Sequence, residues 1–164
     1  MLTRAERLML WNQYEILKTL STNKYDQKSY EEKQEIVAKG YEQFYGDLHV
    51  GIDDDTVSRA ETSEVIQILD MFRAIQSACE KHKYTPKSPY TKFDGFDGNN
   101  DHPQFGIAQF LRKVQGKWAE QKDRPANSHS PMSLPRYRAM LERWKALGDG
   151  RYELTPDDVE AISG

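Results

Sequence analysis

The sequence predicts an all-α fold, a single compact domain of about six helices spanning residues 1–164. Three observations lead there. Apolar residues recur at helical spacing along nearly the whole chain, and helix-start signatures precede those stretches. No alternation of apolar and polar residues persists beyond about five positions, so nothing reads as a strand. There is also no internal repeat and no low-complexity segment.

Thr3-Arg4-Ala5-Glu6 is a capping-box pattern, in which the Thr oxygen accepts from a free amide and Glu6 reaches back. The first helix then runs to about Leu20. Leu10, Tyr14 and Leu17 share one face and Met9, Ile16 and Leu20 an adjoining one, so the helix is expected to be central and to touch more than one element. Ser29-Tyr30-Glu31-Glu32 repeats the pattern and opens a second helix carrying Val37, Tyr41, Phe44 and Leu48. Gly46–Asp55 reads as a turn, ending in Asp53-Asp54-Asp55 at a helix N-terminus, where the dipole favours acids.

The longest helix is expected from about Thr56 to Lys83, with Val65, Ile68, Phe72, Ile75 and Cys79 in one seam. Pro86 and Pro89 cannot continue it. The Phe93–Asp101 loop is followed by a fourth helix with Pro103 at its first position. Ile107, Phe110 or Leu111, Val114 and Trp118 lie on one side of it. After a polar connection from Arg124, Pro135 starts a fifth helix bearing Tyr137, Met140, Leu141, Trp144 and Leu147. Thr155, Pro156 and a Leu154–Val159 staple open a short last helix.

Several of these stretches, in order and from end to end, resemble the YfbU family, a group of small bacterial proteins of unknown function. They are Arg7-Leu8, Leu10 and Asn12-Gln13-Tyr14; Ile66, Ile68 and Met71; and Phe93-x-Gly95-Phe96-Asp97. Gly106, Phe110, Val114 and Gly116 continue the match, then Pro131-Met132, Tyr137, Met140-Leu141, Trp144, Leu154 and Ile162. The likeness lapses around Tyr84–Thr91 and Gln121–Ser130, and Gln109 stands where the family has a basic residue. The resemblance implies an α-helical cytoplasmic protein and supplies no activity.

Composition narrows the classes. The chain has 164 residues, 37% of them apolar, and its 6 Phe, 9 Tyr and 3 Trp make the core aromatic. A net charge of −3 argues against a general polyanion binder. The longest apolar run, Leu8 to Trp11, is far too short to cross a membrane, and no secretory leader is evident. A single cysteine, Cys79, suits a reducing cytoplasm, and its place on an apolar seam suggests an inert thiol.

Four features bear on chemistry. Asn12, Gln13 and Tyr14 sit within the widest apolar helix, so Gln13 is expected to be at least half buried. They could form the polar floor of a ligand pocket, with Phe96 and Arg112 as further ligand contacts, or a structural network reaching the Gly95 loop. The acids of the Phe93–Asp101 loop, with His102, offer Asp97, Asp101 and His102 as acid–base candidates and Arg112 as an anion clamp. The structural alternative is a loop pinned by Phe93 and Phe96 that caps the fourth helix.

Read from Asp97 as a calcium loop, the segment has His102 where the glycine belongs and Ala108 where the bidentate glutamate belongs. No zinc spacing, phosphate-cradling loop or dinucleotide fingerprint occurs, so neither a metal nor a cofactor is predicted. Finally, Arg112 to Lys145 holds nine basic residues against three acidic ones. Arg112, Lys113, Lys117, Arg136 and Arg138 are its candidate nucleic-acid contacts. Trp118, Tyr137 and Trp144 are interleaved but already serve apolar helix faces.

Taken together, the residues favour a non-enzymatic interaction or regulatory protein acting as a homo-oligomer, with a further protein partner possible. The alternatives are an enzyme for a small or phosphorylated substrate, and nucleic-acid binding through Arg112–Lys145. A helix-turn-helix is disfavoured because Leu20–Ser29 looks too long for the turn.

Overall fold

Helix α1, Arg4–Leu20, starts at the capping box read from the sequence: the Thr3 hydroxyl accepts from the Glu6 amide and Glu6 reaches back to the Thr3 amide. The computed structural model describes residues 1–53 and 55–164. Two units are distinguished in it, Met1–Thr56 and Val57–Gly164. Among the described residues there are six α-helices and no strand, only an isolated bridge between Phe96 and Asn127.

In the first unit, α2 spans Lys24–Lys39 and is capped by Asn23, whose side chain accepts from the Tyr25 amide. Ser29 therefore lies inside a helix, and the box-like pattern around it caps nothing. The turn between α1 and α2 is Ser21–Asn23, so linker length gives no argument against a helix-turn-helix. The contacts do. Arg7 meets Val37, Trp11 meets Gln34, Lys18 meets Glu31 and Ser21 meets Gln27. As one number rises the other falls along the full length, which is an antiparallel αα-hairpin and not two steeply crossed helices. Gly40, in the left-handed region at φ 71°, ends α2, so Phe44 and Leu48 belong to a separate 3₁₀ stretch, Glu42–His49, which Tyr41 precedes.

The hairpin buries little. Tyr14, Gln34 and Val37 are its only buried residues among those described, so the expectation that the first helix is central is not met.

The second unit is organised by α3, Arg59–His82. It opens at a capping box made by Ser58 and Glu61. Asp53 and Asp55 precede the helix without joining its first turn, and Asp54 lies outside the described residues. Val65, Ile68, Phe72 and Ile75 are buried at 2% exposure or less, so the α3 seam is internal core. Around it pack α4, His102–Gln109, α5, Ser133–Ala146, and α6, Pro156–Ser163. Phe72, Phe93, Phe96 and Tyr137 meet with ring centroids 5.0–5.7 Å apart, in mostly tilted or edge-on pairs that suit aromatic quadrupoles.

Helix α4 does not run on to Trp118. It widens into a single π turn, Phe110–Val114, which shifts the register so that Leu111 is buried while Phe110 and Val114 are exposed. The chain then reverses through Gly116 at φ 65°. Trp118 is itself left-handed at φ 50°, held by its indole N–H, which donates to Asp70 at 3.0 Å. At the C-terminal end the Thr155–Asp158 capping box forms, and Leu154 and Val159 are both buried as a staple requires.

Candidate functional site

Asp97 is buried, and its two oxygens serve its own loop. Oδ1 accepts from the Asn99 amide at 3.0 Å and Oδ2 from the Asn100 carboxamide at 2.7 Å. Asp101 accepts from the Asp97 amide at 3.3 Å and makes no side-chain cap on α4, so the loop is pinned by Phe93 and Phe96 but does not cap the helix through this acid. His102 is exposed. Asp97 and Asp101 thus brace their own loop, both oxygens of the first and one of the second accepting from amides.

The Asn99 amide, followed by the Asn100 side chain, holds the Asp97 carboxyl below its ordinary range. A carboxyl whose folded value is depressed stabilises fully above its unfolded value, near pH 4, and loses that contribution as pH falls through the folded value. Asp97→Asn should therefore flatten the acid limb of the stability profile. Urea midpoints measured from pH 7 down to pH 3 would fall less steeply in the variant than in the parent.

Arg112 is no anion clamp. Its guanidinium lies 5.2 Å from the Phe93 ring centroid and donates to the carbonyls of Gln121, Arg124 and Pro125, tying the 121–125 segment to the core. Burial lowers its pKa. Two other members of the basic set are similarly engaged. Arg136 stacks over Tyr90 at 4.3 Å, and Arg138 forms a bidentate pair with Glu64 at 2.7 and 3.0 Å. Lys113 and Lys117 are exposed. Trp118, Tyr137 and Trp144 are buried, so none of the three offers a face for base stacking.

Asn12 and Gln13 are exposed, which corrects the expectation of a half-buried Gln13. Tyr14 alone of the trio is buried, with its ring centroid 6.3 Å from that of Tyr30. The buried amide of this unit is Gln34, which donates to Glu15 at 2.8 Å and accepts from Lys18 at 3.3 Å. Nothing in the polar sequence around Gln34 marks it for burial. Phe96 is wholly buried in the aromatic cluster. Cys79 is half-buried, and burial pushes its thiol up, so it is not activated as a nucleophile.

What remains is the far side of α1. Leu8, Met9, Ile16, Leu17 and Leu20 are 61%, 59%, 52%, 41% and 74% exposed. Met9, Ile16 and Leu20 fall within about 40° of one another on the helix and about 140° from Tyr14, which faces α2. The stripe of positions 8, 9, 12, 13, 16, 17 and 20 carries no charged side chain. Exposed Asn12 and Gln13 interrupt it at mid-length, and the large apolar side chains grouped to either side of them mark an interaction face, since solvated helices expose such residues singly.

These features define a chain that is helical with no strand among its described residues, with exposed apolar side chains along α1 and with Asp97 and Asp101 committed to their own loop. No helix among the described residues is long and apolar enough to cross a membrane, and none of them form a group of three or more His, Cys, Asp or Glu able to hold a metal ion. The chain belongs to the YfbU family, since the YfbU domain model matches residues 1–163. It is 33% identical to UPF0304 protein MJECS11 of Methanocaldococcus jannaschii, over 97% of this chain and 96% of that protein. UPF0304 protein PM1500 of Pasteurella multocida is 26% identical over 98% and 97% of the two chains, and MS2240 of Mannheimia succiniciproducens 28% over the same shares.

Proposed function

We propose that this chain is a non-enzymatic interaction protein that works as a homo-oligomer, with a second copy seated on the exposed face of α1. The observation that carries the reading is the uncharged stripe from Leu8 to Leu20, with five large apolar side chains left to solvent. A two-fold interface sets one patch against itself, so any net charge on the patch is doubled as repulsion. An uncharged stripe meets that condition. The α3 seam is buried within its own unit and offers no such surface.

Light scattering on the eluting full-length chain tests this. The expected mass at micromolar concentration is a multiple of the 19.1 kDa chain. Ile16→Glu should reduce it to the monomer with helicity unchanged, because Ile16 is half-exposed and its replacement strains no core. A parent protein that elutes as a monomer at every concentration, or an Ile16→Glu variant that assembles as well as the parent, would overturn the proposal.

A further inference from the structure

The exposed side chains of α1 are arranged almost symmetrically about its middle. Ala5, Met9, Ile16 and Leu20 are all exposed and fall within about 60° of one another, forming the central strip of the face. Counted from the midpoint between Asn12 and Gln13, Met9 and Ile16 lie about one turn away on either side, and Ala5 and Leu20 about two turns away. The two amides flank the strip at that midpoint, both exposed.

We infer, on the reading that this face seats a second copy, that the two copies of α1 pack antiparallel, with the two-fold axis crossing the helix between Asn12 and Gln13. Side-chain size favours this orientation. Antiparallel packing brings Met9 level with the partner's Ile16 and sets a leucine against an alanine at both ends, so the helices stay evenly spaced. Parallel packing would set Leu20 against Leu20 at one end and Ala5 against Ala5 at the other, crowding the first and leaving a gap at the second. It would also align the two helix dipoles and bring Glu6 level with its own copy, where the antiparallel pair places Thr19.

Asn12 and Gln13 fix the register. Beside a two-fold axis a side chain meets its own copy, and a carboxamide, carrying both donor and acceptor, is complementary to itself. A slip of one turn would cover these amides with Met9 or Ile16 and leave them unpaired in an apolar layer. A single buried Asn sets register in coiled coils by the same penalty.

Cross-linking tests the orientation. Full-length chains carrying Cys79→Ser and one new cysteine, Ala5→Cys or Leu20→Cys, are mixed in equal amounts, one of them tagged, and treated with bismaleimidoethane. Both positions are exposed, so neither substitution removes core. The antiparallel pair brings Ala5 beside the partner's Leu20 and holds like positions about 22 Å apart along the axis, beyond the reach of the linker. The mixed product should therefore exceed either self product by at least about tenfold. Met9→Cys with Ile16→Cys repeats the comparison one turn from the axis. Asn12→Leu and Gln13→Leu, combined in both chains, should leave the assembled mass unchanged and lower the preference for the mixed product about tenfold. Light scattering on the same samples separates the failures. A monomeric mass overturns the homo-oligomer and the antiparallel pair together. An oligomeric mass with self products as abundant as the mixed one, or with no cross-link, overturns the antiparallel pair alone. A preference untouched by the double substitution overturns the role given to the amides.

Discussion

Gly95→Ala is expected to destabilise the second unit by about 2–5 kcal/mol, combining a strained backbone with a clash that cannot relax. Gly95 sits at φ 91°, and a Cβ there would lie 2.5 Å from the Ala126 carbonyl oxygen and 2.9 Å from the Asn127 nitrogen. Those atoms belong to backbone already in use. Phe96 donates to the Ala126 carbonyl at 3.3 Å and accepts from the Ser128 amide at 3.0 Å, so the methyl group would push apart the bridge that seats Phe96 in the core. Gly148 is the control. It too has a positive φ, 58°, but an added Cβ would meet nothing within 4 Å, so Gly148→Ala should cost only about 1 kcal/mol. Urea unfolding of the pair separates the clash from the conformational strain. Equal midpoints would mean that the close approach to Ala126 contributes nothing.

Tyr137 should be the most sensitive single side chain. Its hydroxyl accepts from the Asp94 amide at 3.0 Å and donates to the Gly95 carbonyl at 3.1 Å, while its ring packs on Phe72, Phe93 and Phe96. Tyr137→Phe keeps the ring but leaves two backbone groups without partners, a loss of about 2–4 kcal/mol. Tyr137→Ala removes the ring as well, and truncation of a buried aromatic alone costs about 3–5 kcal/mol, enough to unfold a typical domain. A Phe variant as stable as the parent would show that the loop amides find other partners. Burial in this cluster holds the Tyr137 phenol above its ordinary pKa, against the opposing pull of the Asp94 amide.

Helix termini were readable where the capping chemistry is local. Thr3 and Thr155 do what their sequences say, because a hydroxyl and an acid three residues apart need nothing else. Ser29 carries the same signature inside α2, and the less conspicuous Asn23 wins because the helix extends back to it. The π turn after α4 has no local signature. It accompanies the placement of Trp118 against Asp70, a contact between residues far apart in sequence. Gln34 and Gln121 were invisible for a related reason, since an amide is buried by its tertiary partners and not by its neighbours. The width of the apolar surface on α1 was legible, but whether anything covers it was not, because hydrophobic periodicity says only that a face is apolar.

The shallow core of the αα-hairpin has a consequence for how this protein responds to its own abundance. Three buried side chains provide little internal cohesion, and anything that binds the ordered hairpin but not the unfolded segment stabilises it in proportion to the logarithm of its concentration. With a second copy as that ligand, as proposed above, the order of residues 4–39 would become a function of mass action: frayed in a dilute solution, settled in a crowded one. The hairpin would then act as a gauge of how much of the protein is present.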